Sequence, residues 1–229
     1  MMKKLSRFFL FSFATVCVFA QQFTPFREHY DNGNLKVLGF HLDKTSKKHG
    51  VWTYYFENSK TEKIENYMNN KPVGEWKWYY ENGKLKKIGS YKNGQQEGEW
   101  KHYYKNGNLS MVSSFLGGKA EGEWKTYYKN GNIETIGNYE NSKAEGEWKE
   151  YHNSGLYRVG FYKEGKREGE WKHYHENERI QEIGSYKNGK KEGQWKVYNN
   201  QHDIPSLNGA LEKIKYFKNG VLVKEEIPD

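Results

Sequence analysis

Short runs in which rings alternate with charges fill most of the chain. One such stretch is Glu75-Trp76-Lys77-Trp78-Tyr79-Tyr80, followed by Asn82-Gly83, then Leu85 to Tyr91, then Asn93-Gly94. Alternation with a period of two marks a strand with one face covered. Asn-Gly between two such runs is a strong hairpin signal, because both residues tolerate the positive φ of a type I′ turn. Asn-Gly occurs eight times. The pattern therefore predicts strand, tight turn, strand and a longer turn, over and over.

The blocks recur with a fixed period. Gly74-Glu75-Trp76-Lys77 returns at Gly98, Gly122, Gly146 and Gly169, and at Gly193 with Gln194 replacing Glu; Gly50-Val51-Trp52-Thr53 is a weaker copy. Trp52, Trp76, Trp100, Trp124, Trp148, Trp171 and Trp195 are spaced 24, 24, 24, 24, 23 and 24 residues apart. A degenerate first copy has Phe26 at the Trp position, which makes eight units. The expected fold is all-β: an elongated, solenoid-like, single-layer antiparallel meander of about sixteen strands, roughly 75 Å along its stacking direction. Within the first strand of a unit, Trp76, Trp78 and Tyr80 share one face, and Lys77 and Tyr79 the other. In the second strand Leu85, Ile88 and Tyr91 recur as Leu109, Val112 and Phe115, a spacing of three that no flat strand puts on one face. Gly89 and Gly137 suggest a bulge or bend there. The Trp column and the aliphatic column are expected to close over each other as a narrow core. The last unit is interrupted at 199–207, where His202, Asp203 and Pro205 replace a two-residue turn. Such a loop serves either as a binding site or as a cap for the open edge.

Composition supports a thin fold. Aromatic residues are 17% of the chain, with 19 Tyr and 8 Trp, alongside 24 Gly and 4 Pro. Rings that bury a broad surface while keeping a polar tip wet replace a large aliphatic core. No apolar run reaches the roughly 20 residues of a helical membrane span, so no integral span is expected.

Residues 1–20 read as a signal peptide: Lys3, Lys4 and Arg7, then the apolar run Phe8 to Ala20, ending with small residues before Gln21. The expected localisation is export to the periplasm, cell surface or exterior after cleavage near Ala20. Lipid anchoring at Cys17 is the alternative, though Val16 rather than a small residue precedes that Cys. Cleavage removes three positive charges and no acid, so +8 falls to +5, and the only Cys leaves as well. Residues 21–229 then form a single repeat domain without disulfides.

The recurring G-x-W-x-x-Y-Y-x-N-G-x-[LI], followed by [IV]-G-x-Y-x-N-G, resembles the MORN repeat in its variant bacterial form. The resemblance implies a row of β-hairpins and a protein-binding role. Bacterial proteins with such repeats include YwqK-type antitoxins, so neutralisation of a toxin is among the roles it implies.

The search for chemistry points away from catalysis. There is no G-x-S-x-G, P-loop or H-E-x-x-H motif. Glu97, Glu121, Glu145, Glu168 and Glu192 each precede a repeat Gly and read as turn positions. His173 and His175 share a face at i, i+2, but equivalent positions in neighbouring units stand two strands, roughly 10 Å, apart. No metal, cofactor or catalytic residue is expected. Lys77, Lys101 and Lys125, with their repeats, form a cationic column beside Tyr. Glu75, Glu99 and Glu123 lie two residues before them on the same side and cancel the field, so nucleic acid is not expected as a partner. The binding-surface candidates are these lysines with Trp78, Tyr79, Tyr103, Tyr127, Tyr151, Tyr174 and Tyr198. Two ligand classes fit: a protein bound across many shallow contacts, or a carbohydrate or envelope polymer stacked on the Tyr and Trp rings.

Overall fold

The computed structural model describes residues 23–42, 45–200 and 209–228. The expected signal segment and residues 201–207 of the interruption lie outside them.

The described residues form one open antiparallel sheet. Its segments are β1 (Phe23–His29), β2 (Leu35–Leu42), β3 (Lys48–Tyr55), β4 (Thr61–Met68), β5 (Lys71–Pro72), β6 (Gly74–Tyr79), β7 (Leu85–Lys92), β8 (Gln95–Tyr103) and β9 (Leu109–Leu116). Next come β10 (Lys119–Ala120), β11 (Gly122–Tyr127), β12 (Ile133–Glu140), β13 (Lys143–His152), β14 (Gly155–Lys163) and β15 (Lys166–Tyr174). The last are β16 (Ile180–Lys187), β17 (Lys190–Tyr198), β18 (Leu211–Lys218) and β19 (Val221–Glu226). Each pairs with its neighbours in chain order, as a meander does. β5 and β6 both pair with β4, and β10 and β11 both pair with β9. These are halves of single strands, so the segments fill seventeen positions in the sheet.

The two turns of a unit differ, but not as the expected tight turn and longer turn. At Asn93-Gly94 both residues have positive φ, 53° and 86°, as a two-residue type I′ turn requires. At Asn82-Gly83 only Gly83 is positive. There the Gly83 N–H donates to the Tyr80 carbonyl and the Tyr80 N–H to the Lys84 carbonyl, which is a three-residue loop closed by a glycine bulge. The Asn82 Oδ1 accepts from the Lys84 N–H at 3.0 Å. The longer turn expected between units is absent: Gln95 to Glu97 already belong to β8.

The core is a column of rings. From Tyr67 to Phe217, Trp alternates with Tyr or Phe through thirteen rings, with centroids 4.9–6.3 Å apart and mostly edge-to-face. That geometry suits the ring quadrupole. Trp100, Trp171 and Trp195 are wholly buried, although the sheet is one layer thick. Glycine makes this possible. Gly89 lies opposite Trp76, and the Trp100 ring rests on its backbone, so that a Cβ there would stand 2.0 Å from Trp100 Cδ2. Gly39, Gly137, Gly160 and Gly184 accept Trp52, Trp148, Trp171 and Trp195 in the same way. The expected irregularity at Gly89 is present, since pairing skips from Ile88–Lys101 to Ser90–Glu97. The left-handed residue, however, is the facing Gly98, at φ 68°.

The aliphatic column does not join this core, contrary to expectation. Ile88 pairs with Lys77 and Lys101 on the opposite face. An extra residue beside Lys87, seen as the register break between Trp78 and Tyr79, brings Leu85 onto Ile88's face, while Tyr91 goes to the ring face.

Two further ladders tie units together. The Tyr80, Tyr104 and Tyr128 hydroxyls donate to the Tyr103, Tyr127 and Tyr151 carbonyls of the next unit at 2.6–2.7 Å. The Glu97, Glu121, Glu145, Glu168 and Glu192 carboxylates each accept a turn N–H of the next unit at 2.8–2.9 Å. Tyr104→Phe should therefore lower stability by about 1 kcal/mol, the worth of one such bond, read as a shift of the urea midpoint.

Candidate binding surface

The candidates divide between the two faces. Trp78 sits on the ring face, half-buried between Trp76 and Trp100 at 5.7 and 5.9 Å, with the Lys87 ammonium 5.1 Å from its centroid. It belongs with the repeat core, not with a surface shared with Tyr79. Lys77, Lys101 and Lys125 lie on the opposite face with Tyr79, Tyr103, Tyr127, Tyr151, Tyr174 and Tyr198, all half-buried.

On that opposite face the charges are paired. Glu75–Lys77, Glu99–Lys101 and Glu123–Lys125 meet at 2.6 Å, Glu147–Lys149 at 2.7 Å and Glu170–Lys172 at 3.2 Å. The carboxylate that bonds each of Lys77, Lys101, Lys125 and Lys149 holds its ammonium above the usual lysine range. Such exposed pairs add little stability; what they do is make the column charge-neutral. At Gln194–Lys196 the carboxylate is replaced by an amide.

Between the pairs lie repeated clefts. Ile88 and Gly89 form the floor of one, Glu75, Glu99 and Lys101 its polar sides and Tyr103 a wall, about 300 Å³ in all. Equivalent clefts of about 240 and 230 Å³ are built on Ile136-Gly137 with Tyr151 and on Ile183-Gly184 with Tyr198. Each spans both strands of one unit and the first strand of the next. The Tyr residues and the lysines were legible as candidates. The Ile floor was not, because its place depends on the register break at Lys87.

At the N-terminal end this face changes character. Val51 and Thr53 replace the Glu–Lys pair, and Phe23, Phe40, His49, Gly50 and Val51 line an apolar hollow of about 330 Å³.

The ring face is covered by cations. Lys48 lies 4.7 Å from the Trp52 centroid, Lys87 4.5 Å from Trp100, Arg167 4.7 Å from Trp171 and Lys191 3.9 Å from Trp195. Glu65, in the glycine position opposite Trp52, is buried, with Lys63 at 2.7 Å and the Tyr67 hydroxyl at 3.0 Å. His102 and His173 are on this face too. Burial, with Lys87 nearby, pushes His102 down to about 4. Burial does the same to His173, aided by Lys191, Arg158 and Arg167 and opposed by Glu182. An unfolded imidazole titrates near 6.5, so on acidification the unfolded chain takes up these protons first. The stability the two residues contribute is complete above pH 6.5 and is lost as pH falls towards 4. The urea midpoint should fall across that window, and fall less in a His102→Gln, His173→Gln double variant.

Among the described residues no group of three or more His, Cys, Asp or Glu side chains is placed to hold a metal ion. The interruption in the last unit springs from the turn between β17 and β18, where the Asn199 N–H donates to the Ala210 carbonyl and the Ala210 N–H to Asn199 Oδ1.

A family model described as the MORN repeat variant matches residues 48–69, 72–93, 96–115, 120–141 and 167–188. Repeats of this kind serve protein and membrane interactions. No curated protein matches the chain.

Proposed function

This chain carries the MORN repeat variant as its building unit, and on that premise we propose that it is an exported, non-enzymatic repeat protein that binds another protein along its Glu–Lys–Tyr face. The observation that carries this reading is the run of five Glu–Lys pairs on one face, with Tyr-walled clefts between neighbouring units. Tyr supplies contact area at low entropic cost, the usual anchor of a protein interface. Because each of these five lysines has its carboxylate, Lys196 beside Gln194 is the one surplus cation of the column, too little for an anionic lipid surface, which argues for protein over membrane. Lys77, Lys101, Lys125, Tyr103 and Tyr127 are the residues expected to matter most.

The test is capture from the native envelope followed by titration with the purified partner. Tyr103→Ala with Tyr127→Ala should weaken binding at least tenfold and leave circular dichroism unchanged; unaltered affinity contradicts the proposal. A captured protein that arrests growth when expressed alone, and is relieved by this chain, would make the pair a toxin and its antitoxin.

The second reading, a carbohydrate or envelope polymer, is favoured by the clefts themselves. Each sets a ring wall beside a carboxylate and an ammonium at a two-strand interval of roughly 10 Å. Saturable binding on a glycan array, lost in the same double variant, would establish it instead.

A further inference from the structure

The two edges of the sheet are built differently. β1 holds Pro25 in the middle of the strand, opposite Phe40. Proline has no N–H to offer a further strand, a common guard on a sheet edge. β19 has no such guard. Among the described residues it pairs only with β18, and Val221, Leu222 and Val223 are 65%, 47% and 61% exposed.

Sequence shows why ring stacking stops at β19 while strand pairing does not. Asn219-Gly220 opens it with the same two-residue turn that begins the inner units. Lys224 then stands where those units have the bulge glycine, and Lys215, opposite Trp195, stands where they have the glycine that accepts the next Trp. No indole is seated there, but the outer row of backbone groups is intact.

The register of β19 fixes what fits that row. Val221 closes the turn against Lys218, the ladder is offset once near Val223, and Glu225 then lies opposite Lys215. Lys215 already faces Trp195 on its other side. The residues flanking a two-residue turn form a hydrogen-bonded pair, here Lys218 and Val221, and bonded and unbonded pairs then alternate. Phe217–Leu222 is unbonded, Tyr216 bonds at the offset, and Lys215–Glu225 is unbonded, so the Glu225 N–H and C=O turn outward. A two-fold axis at Glu225 sets Lys224 opposite Glu226 of the second copy, Glu226 opposite its Lys224, and Val223 opposite its Ile227. Lys224 and Glu226 share a face and contact each other within the chain, and Ile227 is 80% exposed. Lys213, 3.4 Å from Glu225 in each copy, offsets the meeting of the two Glu225 carboxylates.

We propose that two copies of this chain join antiparallel through β19, extending the sheet across a two-fold axis at Glu225. The contact does not involve the Glu–Lys–Tyr face and does not depend on what that face binds. A single six-residue edge is smaller than the roughly 1,200–2,000 Å² of a tight complex, so the dimer is concentration-dependent.

Sedimentation equilibrium of the chain from low to high micromolar concentration should show a monomer–dimer equilibrium. Lys224→Glu gives one variant two carboxylates on that face, and Glu226→Lys gives the other two ammonium groups. Each variant alone should stay monomeric at concentrations that dimerise the parent, with unchanged circular dichroism. An equimolar mixture of the two should dimerise again, because only the mixed pair opposes unlike charges. Glu225→Pro, which removes an outward N–H at the axis, should also be monomeric. A parent that stays monomeric throughout, or a mixture that associates no better than its components, overturns the proposal.

Discussion

Trp100→Ala should lower stability by about 3–5 kcal/mol, the range for removing a large buried ring. Trp100 is wholly buried, and it is so in a sheet with no second layer. Its ring lies on the Gly89 backbone, with Tyr91 at 5.1 Å, Phe115 at 6.3 Å and Trp78 at 5.9 Å, and the Lys87 ammonium stands 4.5 Å from its centroid. Removing it opens a hole on both sides at once, toward the preceding unit and toward the following one. In a linear array each unit is stabilised mainly by its neighbours, so one cavity weakens two junctions. Trp124→Ala should cost visibly less. Ser113 occupies the glycine position before it, with its Oγ buried and unpaired, and Trp124 is only half-buried. Tyr103→Ala, on the opposite face, should change stability least of the three. Urea midpoints of the three variants, compared at constant m value, measure this order.

Gly89→Ala should destabilise by about 1–3 kcal/mol through overpacking. The added carbon would lie 2.0 Å from Trp100 Cδ2 and 2.4 Å from Cε2, atoms of the fused ring that no rotation of a chain end moves aside. Gly184→Ala meets Trp195 at 2.2 Å and should behave alike. The protein already carries the result of such a change at Ser113, where the following indole has moved partly into solvent. The Gly89 variant should accordingly red-shift tryptophan emission as well as lower the urea midpoint. Lys215 and Glu65 hold long side chains in the same position, Lys215 where no indole follows, and Glu65, before Trp76, with its carboxylate held by Lys63 and Tyr67.

Strands, hairpins and the Trp column were legible because each is written within a single unit. Alternation in Glu75 to Tyr79 assigns the faces, the 24-residue period assigns the stacking, and the i, i+2 spacing of Glu75 and Lys77 anticipates their ion pair. What was misread lies between units or turns on one residue of register. Asn-Gly does not distinguish the turn at Asn93 from that at Asn82, since Asn is at home both with positive φ and as a side-chain acceptor in a bulged loop. Leu85, Ile88 and Tyr91, three apart, look like one column, yet the extra residue beside Lys87 divides them between faces. The Glu97 carboxylate reads as a turn position, but its bond goes to the Gly117 N–H, twenty residues on. The clefts were hidden for the same reason: their Ile floor and their Tyr wall come from different units.

Rings seated on glycine join like units, each needing only its neighbours. Deleting residues 98–121 puts that joint on trial. The cut joins Glu97 to Gly122-Glu123-Trp124, so Trp124 inherits the seat on Gly89 and Tyr80 the carbonyl of Tyr127. The product should fold with the same β signature per residue, a cooperative urea transition, and a sheet shorter by two strand spacings, roughly 10 Å, in small-angle scattering. A deletion product that loses its β signature, or keeps the parent's long dimension, would contradict this.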